Sequence, residues 1–255
     1  MLYPMTFKPI LKKIIWGGSD ICPFKGITPV QEGIGESWEL SHVEGNYSVV
    51  DNGALEGKTL DELIRTYGKQ LLGEKVVEQF GSIFPLLIKF IDARDNLSIQ
   101  VHPDDELAKK RHNSFGKTEM WYVVDCDEGA TLLYGFKHEI TKEEFARRIA
   151  DNTLLEVTNA VPVKKGDVFF IKSGTLHAIG KGILIAEIQQ NSNTTYRIYD
   201  YGRVGKDGKP RELHVNKALD VTKLAPAEQY PETPVEKKDG YDIKLLSKCE
   251  YFTTY

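Results

Sequence analysis

The chain has 255 residues, 41% of them hydrophobic and 27% charged, a composition that excludes disordered and fibrous proteins. Its 33 Lys and Arg residues against 37 Asp and Glu residues leave a formal charge of -4, which excludes a strong cationic field for collecting nucleic acid or anionic membranes. Because the longest apolar stretch, residues 83–88, is far shorter than the roughly 18 residues of a membrane helix and no signal peptide is recognisable, we expect a cytoplasmic protein without nucleic-acid or membrane partners.

The predicted elements of the first half are short strands interrupted by helices. The first forty residues mix glycine and proline with brief apolar runs, which predicts irregular β structure. Thr59 and Glu62 have the spacing of a helix capping box, and apolar residues follow every three or four positions as far as Gly73, which predicts a helix. Further elements are expected in chain order: a helix over 74–80, strands over 85–90 and 97–101, a polar helix over 103–112, a strand over 120–124, and a helix from a second capping box, Thr141 with Glu144, to about residue 150.

The second half is rich in short β runs. Residues 168–171, 182–185 and 196–199 are separated by glycines at intervals typical of a β-sandwich or barrel, so we expect antiparallel β structure at the centre of a mainly β fold. Residues 204–235 are richer in Lys, Gly, Pro and Glu, include a predicted surface turn over 205–210, and indicate a domain junction. The three widely spaced cysteines predict reduced thiols.

Two pairs of polar residues have the spacing of a strand face. Gln100 and His102 are two positions apart, so a strand places both side chains on the same side, and Lys117 and Glu119 repeat this spacing just before a buried run. Taken alone, the first pair is more often an ordinary hydrogen-bonded histidine at a strand end, and the second a solvated ion pair. Together the pairs predict that potential ligands converge.

A third motif delivers one histidine at a fixed place. Residues 166–177 combine a glycine turn, a buried strand and a second glycine turn that ends at His177. The motif resembles the second signature of cupin barrels, in which this histidine is a metal ligand, although Lys172 stands where that signature usually has proline. With Gln100, His102 and Glu119 it offers two imidazoles, a carboxylate and an amide oxygen, a thiolate-free set suited to a zinc ion that remains open to substrate.

Four segments, in this order, resemble the type I mannose-6-phosphate isomerases, close to their short bacterial branch. The resemblance extends from about residue 16 to 203, and its segments are 100–105, 116–122, 173–178 and 190–197. It implies a cupin jelly-roll barrel with a few peripheral helices, and reversible conversion of mannose 6-phosphate to fructose 6-phosphate. It also implies one zinc ion per chain, held by Gln100, His102, Glu119 and His177.

The resemblance also carries expectations about domains and assembly. We expect a catalytic, metal-binding cupin domain with helical insertions over residues 1–235. Since related isomerases continue into a further β domain, residues 236–255 are expected to begin one in a shortened chain. A strand left exposed at that end could pair with a second copy, so we expect a monomer or a weak homodimer.

Aldose–ketose isomerisation requires a base and a group that stabilises an enediolate. Glu187 and Gln189 share one strand face, and Arg197 and Tyr199 share a face of the next strand, so polar groups of both could enter one cavity. The resemblance makes Lys117 and Arg197 active-site residues. We rank Glu187 above Lys117 as the base, because an ordinary lysine has a pKa near 10.4. A zinc-bound water is a third contender for the base, and a purely structural Glu187–Arg197 ion pair is the alternative to catalytic roles.

The phosphate contacts are the least evident part of the sequence. Arg197, Lys172 and Ser41 are candidates, the last because residues 35–41 resemble an N-terminal segment of the family. Two other functions remain open: a sugar-binding cupin without turnover, and another metal-dependent cupin enzyme such as a non-haem iron oxygenase. The fourth ligand Gln100 argues against the oxygenase, which favours two histidines and one carboxylate with open positions.

Overall fold

The computed structural model describes residues 2–205 and 208–255, so the predicted turn over 205–210 lies partly outside the described residues. Its strands are β1 (Phe7–Lys8), β2 (Ile10–Gly18), β3 (Ile34–Leu40), β4 (His42–Val43), β5 (Asn46–Tyr47), β6 (Val49–Val50), β7 (Leu86–Ala93), β8 (Ile99–Val101), β9 (Glu119–Cys126), β10 (Thr131–Phe136), β11 (Thr158–Pro162), β12 (Val168–Ile171), β13 (His177–Ala178), β14 (Ile183–Gln190), β15 (Tyr196–Tyr199), β16 (Val235–Lys238), β17 (Tyr241–Lys244), β18 (Ser247–Lys248) and β19 (Thr253–Thr254). Its helices are α1 (Ile21–Phe24), α2 (Leu60–Tyr67), α3 (Lys69–Leu72), α4 (Glu74–Phe80), α5 (Asp105–His112), α6 (Lys142–Ala150) and α7 (Val215–Val221), with 3-10 turns at Gly53–Leu55 and Leu154–Glu156.

Two antiparallel sheets form the body of the fold, which confirms the prediction of a mainly β protein. The larger has six strands in the order β12-β9-β14-β7-β2-β3, and the other has five in the order β11-β10-β13-β8-β15. One core cluster contains Ile91 and Ile185 of the larger sheet together with Leu132 and Tyr134 of the smaller. The two sheets therefore pack face to face and bury apolar side chains between them.

Helices α6 and α7 cover the other face of the five-stranded sheet. Ile99 and Val101 of β8 share a buried cluster with Phe145 of α6 and Ala218 of α7. Since successive strand residues point to opposite faces, Gln100 between them points toward the six-stranded sheet. This alternation leaves the space between the sheets accessible to polar side chains of the smaller sheet.

Both predicted N-cap residues begin a helix, but each of the two predictions is wrong in one detail. Thr59 and Glu62 form a reciprocal capping box, but the helix predicted to reach Gly73 ends at Tyr67, because Gly68 has a φ of 46° and interrupts it. At α6, Thr141 accepts a hydrogen bond from the backbone of Glu144. The Glu144 side chain accepts instead from Arg148, one turn along, so only half of the second box forms.

Residues 235–254 form two antiparallel hairpins, one of β16 with β17 and one of β18 with β19. Phe252 packs with Met120 and Phe170 of the six-stranded sheet, which joins the second hairpin to the body. The division of the chain at residue 235 stays a prediction.

Within the described residues, no helix is long and apolar enough to cross a bilayer, since the longest, α6, has nine residues. All three cysteines are free thiols, as the sequence predicts.

Candidate metal centre and catalytic cavity

Three predicted site residues lie side by side across the five-stranded sheet. In the strand register, His177 of β13 is opposite Gln100 of β8, and Gln100 is opposite Arg197 of β15. The pairing therefore sets an imidazole, an amide and a guanidinium in one row facing the larger sheet. A β-bulge between Arg197 and Tyr199 corrects one prediction: Tyr199 does not share this face but packs against the helix-side cluster.

His102, Glu119 and His177 form a group that can hold a metal ion, because one donor atom from each lies within 4.8 Å of the others. All three side chains are at most 1% exposed. Nε2 of His177 is 3.4 Å from Oε1 of Glu119, and Nε2 of His102 is 3.7 Å from Oε2. The amide of Gln100 ends 3.4 Å from Nε2 of His177, so the fold brings all four predicted ligands together.

Both histidines have a fixed tautomer. The Nδ1–H of His102 donates to the carbonyl of Thr194 at 3.0 Å, and that of His177 donates to the carbonyl of Thr175 at 2.8 Å. Burial lowers the pKa of His177 to about 4 and that of His102 well below its ordinary value, so both rings are neutral at pH 7. The lone pairs on Nε2 are therefore directed at the Glu119 carboxylate and available for coordination.

The Glu119 carboxylate is fully buried, and neither of its oxygens accepts a hydrogen bond from the described residues. Its strongest partner is Lys117, whose Nζ lies 2.8 Å from Oε2 and also donates to Nε2 of His102 at 3.1 Å. Burial and the nearby charge of Glu187 raise the pKa of Glu119 to about 7, against the lowering effect of Lys117. Oε1 has no such ammonium partner, and a buried carboxylate oxygen left unpaired is costly unless a second cation completes its surroundings.

Glu187 lies in a polar row of the six-stranded sheet, between Trp121 and Lys89 in the register. Its Oε2 accepts a hydrogen bond from Nε1 of Trp121 at 2.7 Å, and its Oε1 is 3.1 Å from Nζ of Lys89 and 3.8 Å from Nζ of Lys117. Burial raises the pKa of Glu187, but these two lysines outweigh that effect and the net pKa is lowered. Glu187 is therefore ionised at neutral pH.

Lys89 is a buried site residue that sequence reasoning missed. It is 7% exposed and lies 3.6 Å from Glu36 as well as beside Glu187. Although burial lowers the pKa of Lys89, the two carboxylates raise it above its ordinary value, so the ammonium stays charged. The signal in the sequence is a single lysine within the apolar strand β7, which is a costly position for a lysine without acidic partners.

A cavity of about 140 Å³ lies between the two sheets; Gln100, Lys117 and Glu187 line it, whereas His102, Glu119 and His177 do not. Its polar lining consists of Glu36, Lys89, Ser98, Gln100, Lys117, Glu187, Asn193, Thr195, Arg197 and Arg211. Arg197 donates from Nη1 to the carbonyl of Glu212 at 2.9 Å, while its buried Nε has no partner among the described residues. Burial and the nearby Arg211 lower the pKa of Arg197. Since Glu187 pairs with Lys89, the alternative Glu187–Arg197 ion pair does not form.

After Lys89, Arg211 is the second cation of the cavity lining that sequence analysis missed. Asp200, which is 5% exposed, accepts from Nε of Arg211 at 2.7 Å and from Nη2 at 2.5 Å. Arg203 donates to the same carboxylate at 2.6 Å. This two-point contact fixes the plane of the Arg211 guanidinium.

Two predicted phosphate contacts, Ser41 and Lys172, do not line this cavity. Ser41 is fully buried and its hydroxyl accepts from the backbone of Val43. Lys172 follows strand β12 and lines a larger cavity of about 890 Å³, where it forms an ion pair with Glu228. The register of β12 with β9 thus directs Lys172 to a different part of the surface from the metal-capable group.

Comparison with known proteins identifies the family. A family model described as phosphomannose isomerase type I, catalytic domain, matches residues 5–130. The mannose-6-phosphate isomerase ManA of Bacillus subtilis is 42% identical over 251 residues, which cover 98% of this chain and 78% of ManA. The crystal structure of a mannose 6-phosphate isomerase from Bacillus subtilis has a TM-score of 0.91 at 38% identity, covering 98% of this chain and 78% of that one.

A more distant relative shares the fold alone: a zinc-bound mannose 6-phosphate isomerase has a TM-score of 0.69 at 17% identity, covering 87% of this chain and 75% of its own. The identity and coverage shared with ManA, together with the matching family model, show that this chain belongs to the type I mannose-6-phosphate isomerase family.

Proposed function

We propose that this chain is an aldose–ketose isomerase that interconverts mannose 6-phosphate and fructose 6-phosphate in the cavity between its two sheets. The observation that carries the proposal is that Gln100 and Lys117, which contact the His–Glu–His group, line the same cavity as the ionised Glu187 and the cation Arg197. Membership of the isomerase family supports the same reaction. Turnover distinguishes this function from that of a sugar-binding module.

The donor set fits one zinc ion per chain, with Gln100, His102, Glu119 and His177 as its ligands. Two observations support the fit: Oε1 of the buried Glu119 has no hydrogen-bond partner among the described residues, and both histidines donate from Nδ1 to backbone carbonyls, so each Nε2 carries a lone pair rather than a proton. When bound, zinc supplies a Lewis acid that polarises oxygens of the sugar. An oxygen-rich set with a fourth protein ligand does not favour an iron oxygenase.

Glu187 is the proposed base. Isomerisation removes the proton at C2 of the open-chain aldose, forms a cis-enediol, and returns a proton to C1. Glu187 lines the cavity and is deprotonated beside Lys89, which lies 3.1 Å from its Oε1, so its carboxylate can take and return that proton. Lys89 and Lys117 keep Glu187 deprotonated between turnovers.

Arg197 is the proposed stabiliser of the enediolate. Its Nε has no partner among the described residues, and Arg197 lies opposite Gln100 in the strand register. The guanidinium can therefore donate hydrogen bonds to oxygens of a substrate in the cavity. Lys117 is proposed to act in the same step, because its ammonium reaches both the ligand group and Glu187.

The phosphate end of the substrate is proposed to bind Arg211 together with Arg197. Both guanidinium groups line the cavity, and Asp200 holds Arg211 in one orientation. A planar guanidinium can donate two parallel hydrogen bonds to a phosphate, and these arginines are favoured over Lys172 because Lys172 does not line this cavity. The two packed sheets are further proposed to be the halves of a cupin jelly-roll barrel.

A coupled assay tests the function. Purified protein is given mannose 6-phosphate with zinc, and fructose 6-phosphate is detected as it forms. We expect turnover by the wild type and a large loss of kcat in Glu187→Gln, which keeps the size of the side chain but cannot accept the proton as a carboxylate does. Binding of the sugar phosphate without any turnover would instead favour the non-catalytic cupin.

A further inference from the structure

Residues 116–118 deliver Lys117 and Glu119 to the site, yet they belong to no helix or strand. A loop of this kind has no ladder to hold it, so each backbone N–H must find another partner. Gly116 donates to Oδ1 of Asp105 at 2.7 Å, and Thr118 donates to Oε1 of Gln190 at 2.8 Å. Lys117 donates to the carbonyl of Pro103 at 3.1 Å.

The two side chains that accept from this loop also bind each other. Nε2 of Gln190 donates to Oδ1 of Asp105 at 2.9 Å, so a single hydrogen-bonded unit, named here the Asp105–Gln190 clamp, holds both ends of the loop. Tyr251 adds a further bond from its hydroxyl to Oδ2 of Asp105 at 2.5 Å. Every polar atom of the two side chains then has a partner, which favours a single rigid arrangement.

The clamp connects three parts of the catalytic site. Asp105 begins α5, three residues after His102, while Gln190 ends β14, the strand of Glu187. A Cβ on Gly116 would come within 2.6 Å of backbone atoms of Asp104 and Asp105, so the loop lies against the start of α5. Neither clamp residue lines the catalytic cavity.

We propose that Asp105 and Gln190 are positioning residues, which set the relative places of Lys117, Glu119 and Glu187 without touching the substrate. The inference rests on the proposed isomerase function for its kinetic consequence, but the position of Glu119 also affects metal affinity. Displacing catalytic groups by about 1 Å can cost a hundredfold in rate, so loss of the clamp acts on kcat more than on KM.

The test compares Asp105→Ala with Asp104→Ala, a matched control one residue earlier. Asp104 caps α5 by accepting from the backbone of Leu107 at 2.9 Å and takes no part in the clamp. We expect Asp105→Ala to lower kcat by roughly ten- to hundredfold with a smaller change in KM. Asp104→Ala should lower Tm but leave kcat within about twofold of the wild type, because the loop bonds stay intact.

Two more variants allow the proposal to be tested even if Asp105→Ala does not fold. Asp105→Asn retains an oxygen for Gly116 and Gln190 and an amide donor for the Tyr251 oxygen, so it should recover kcat to within about threefold. Gln190→Met keeps the length of the side chain and loses both of its bonds, so it should behave like Asp105→Ala. Equal losses of kcat in the Asp105→Ala and Asp104→Ala variants, or normal kcat in Gln190→Met, would overturn the proposal.

A second readout separates this inference from the proposed function. Zinc affinity and amide hydrogen exchange of residues 116–119 are measured on the same variants. We expect weaker zinc binding and faster exchange in Asp105→Ala and Gln190→Met than in Asp104→Ala. If the wild type turns over no mannose 6-phosphate, the proposed function fails, while unchanged affinity and exchange in both clamp variants would refute the clamp.

Discussion

Replacing Lys89 tests how much the buried charge network contributes to the stability of the fold. Its ammonium is 7% exposed and lies 3.1 Å from Glu187 and 3.6 Å from Glu36. Replacing it in Lys89→Met preserves most of the buried stem but leaves Glu187 with Lys117, at 3.8 Å, as its remaining ammonium partner. Because removal of one partner leaves an uncompensated buried charge, we expect a loss of roughly 3–5 kcal/mol in the free energy of unfolding.

The measurement is the thermal midpoint of unfolding against a matched control. For a chain of this size, 1 kcal/mol shifts Tm by about 2–4 °C, so Lys89→Met should lower Tm by about 6–20 °C. The control is Lys58→Met, which breaks a pair at a similar distance, 3.1 Å from Glu62, on the exposed surface. Water screens an exposed pair and leaves its contribution small, so the control should lose less than about 4 °C.

The pH dependence of this loss follows from the two pKa shifts. The lowered pKa of Glu187 makes its contribution full above the ordinary value of 4.5, and the raised pKa of Lys89 makes its contribution full below 10.5. The difference between Lys89→Met and wild type should therefore be largest between about pH 8 and 10 and should shrink toward acid pH, because Glu119, with a pKa of about 7, and the Glu187 carboxylate left unpaired in the variant become protonated. The double variant Lys89→Met, Glu187→Gln should recover part of the loss, because it removes the unpaired carboxylate. Equal Tm losses in Lys89→Met and the control, or additive losses in the double variant, would refute this account.

Three further predictions concern single groups of the site. His177→Ala should lose the bound metal while Lys117→Ala retains it, because a protonated lysine is not a ligand; metal analysis of both purified variants decides this. Arg197→Lys should lower kcat by roughly a hundred- to a thousandfold while zinc content stays normal, because one ammonium does not reproduce the planar fork; near-normal kcat would remove Arg197 from catalysis. Burial raises the pKa of Asp200, but hydrogen bonds from Arg211 and Arg203 lower it below its ordinary value of 3.8. Thermal melts should therefore show that Asp200→Asn is destabilised above that pH and that the difference shrinks below it, whereas a difference independent of pH would contradict this assignment.

The ligand group could be predicted from the sequence because its signals are local. The two-residue spacing of Gln100 and His102 specifies a common strand face, and the glycine turns around His177 specify where the strand delivers it. The prediction that Lys117 and Glu119 share a strand face is wrong for Lys117, which lies in the loop before β9; the two side chains still meet, but that loop depends on a distant acceptor, Gln190. Where the alternation of side chains along a strand decides which face a residue occupies, the local sequence is enough to predict that face.

The remainder of the site depends on contacts between residues far apart in the chain. Lys89 is a site residue because β14 places Glu187 beside it, and Arg211 because Asp200 orients it. The bulge that turns Tyr199 away also has no signature in the residues around it. Lys172 lies within a recognisable motif, but its direction follows from the edge position of β12 and from Glu228. Strand order and register, which a single sequence does not reveal, decide these cases.

The central claim, a zinc-assisted isomerase at the His–Glu–His group, is tested most directly by a metal titration of activity. The protein is stripped exhaustively with a chelator, and conversion of mannose 6-phosphate is then measured as zinc is added in steps. The account predicts no turnover in the stripped protein and a return of activity that reaches its plateau at about one zinc per chain. Full activity in the metal-free protein would contradict it.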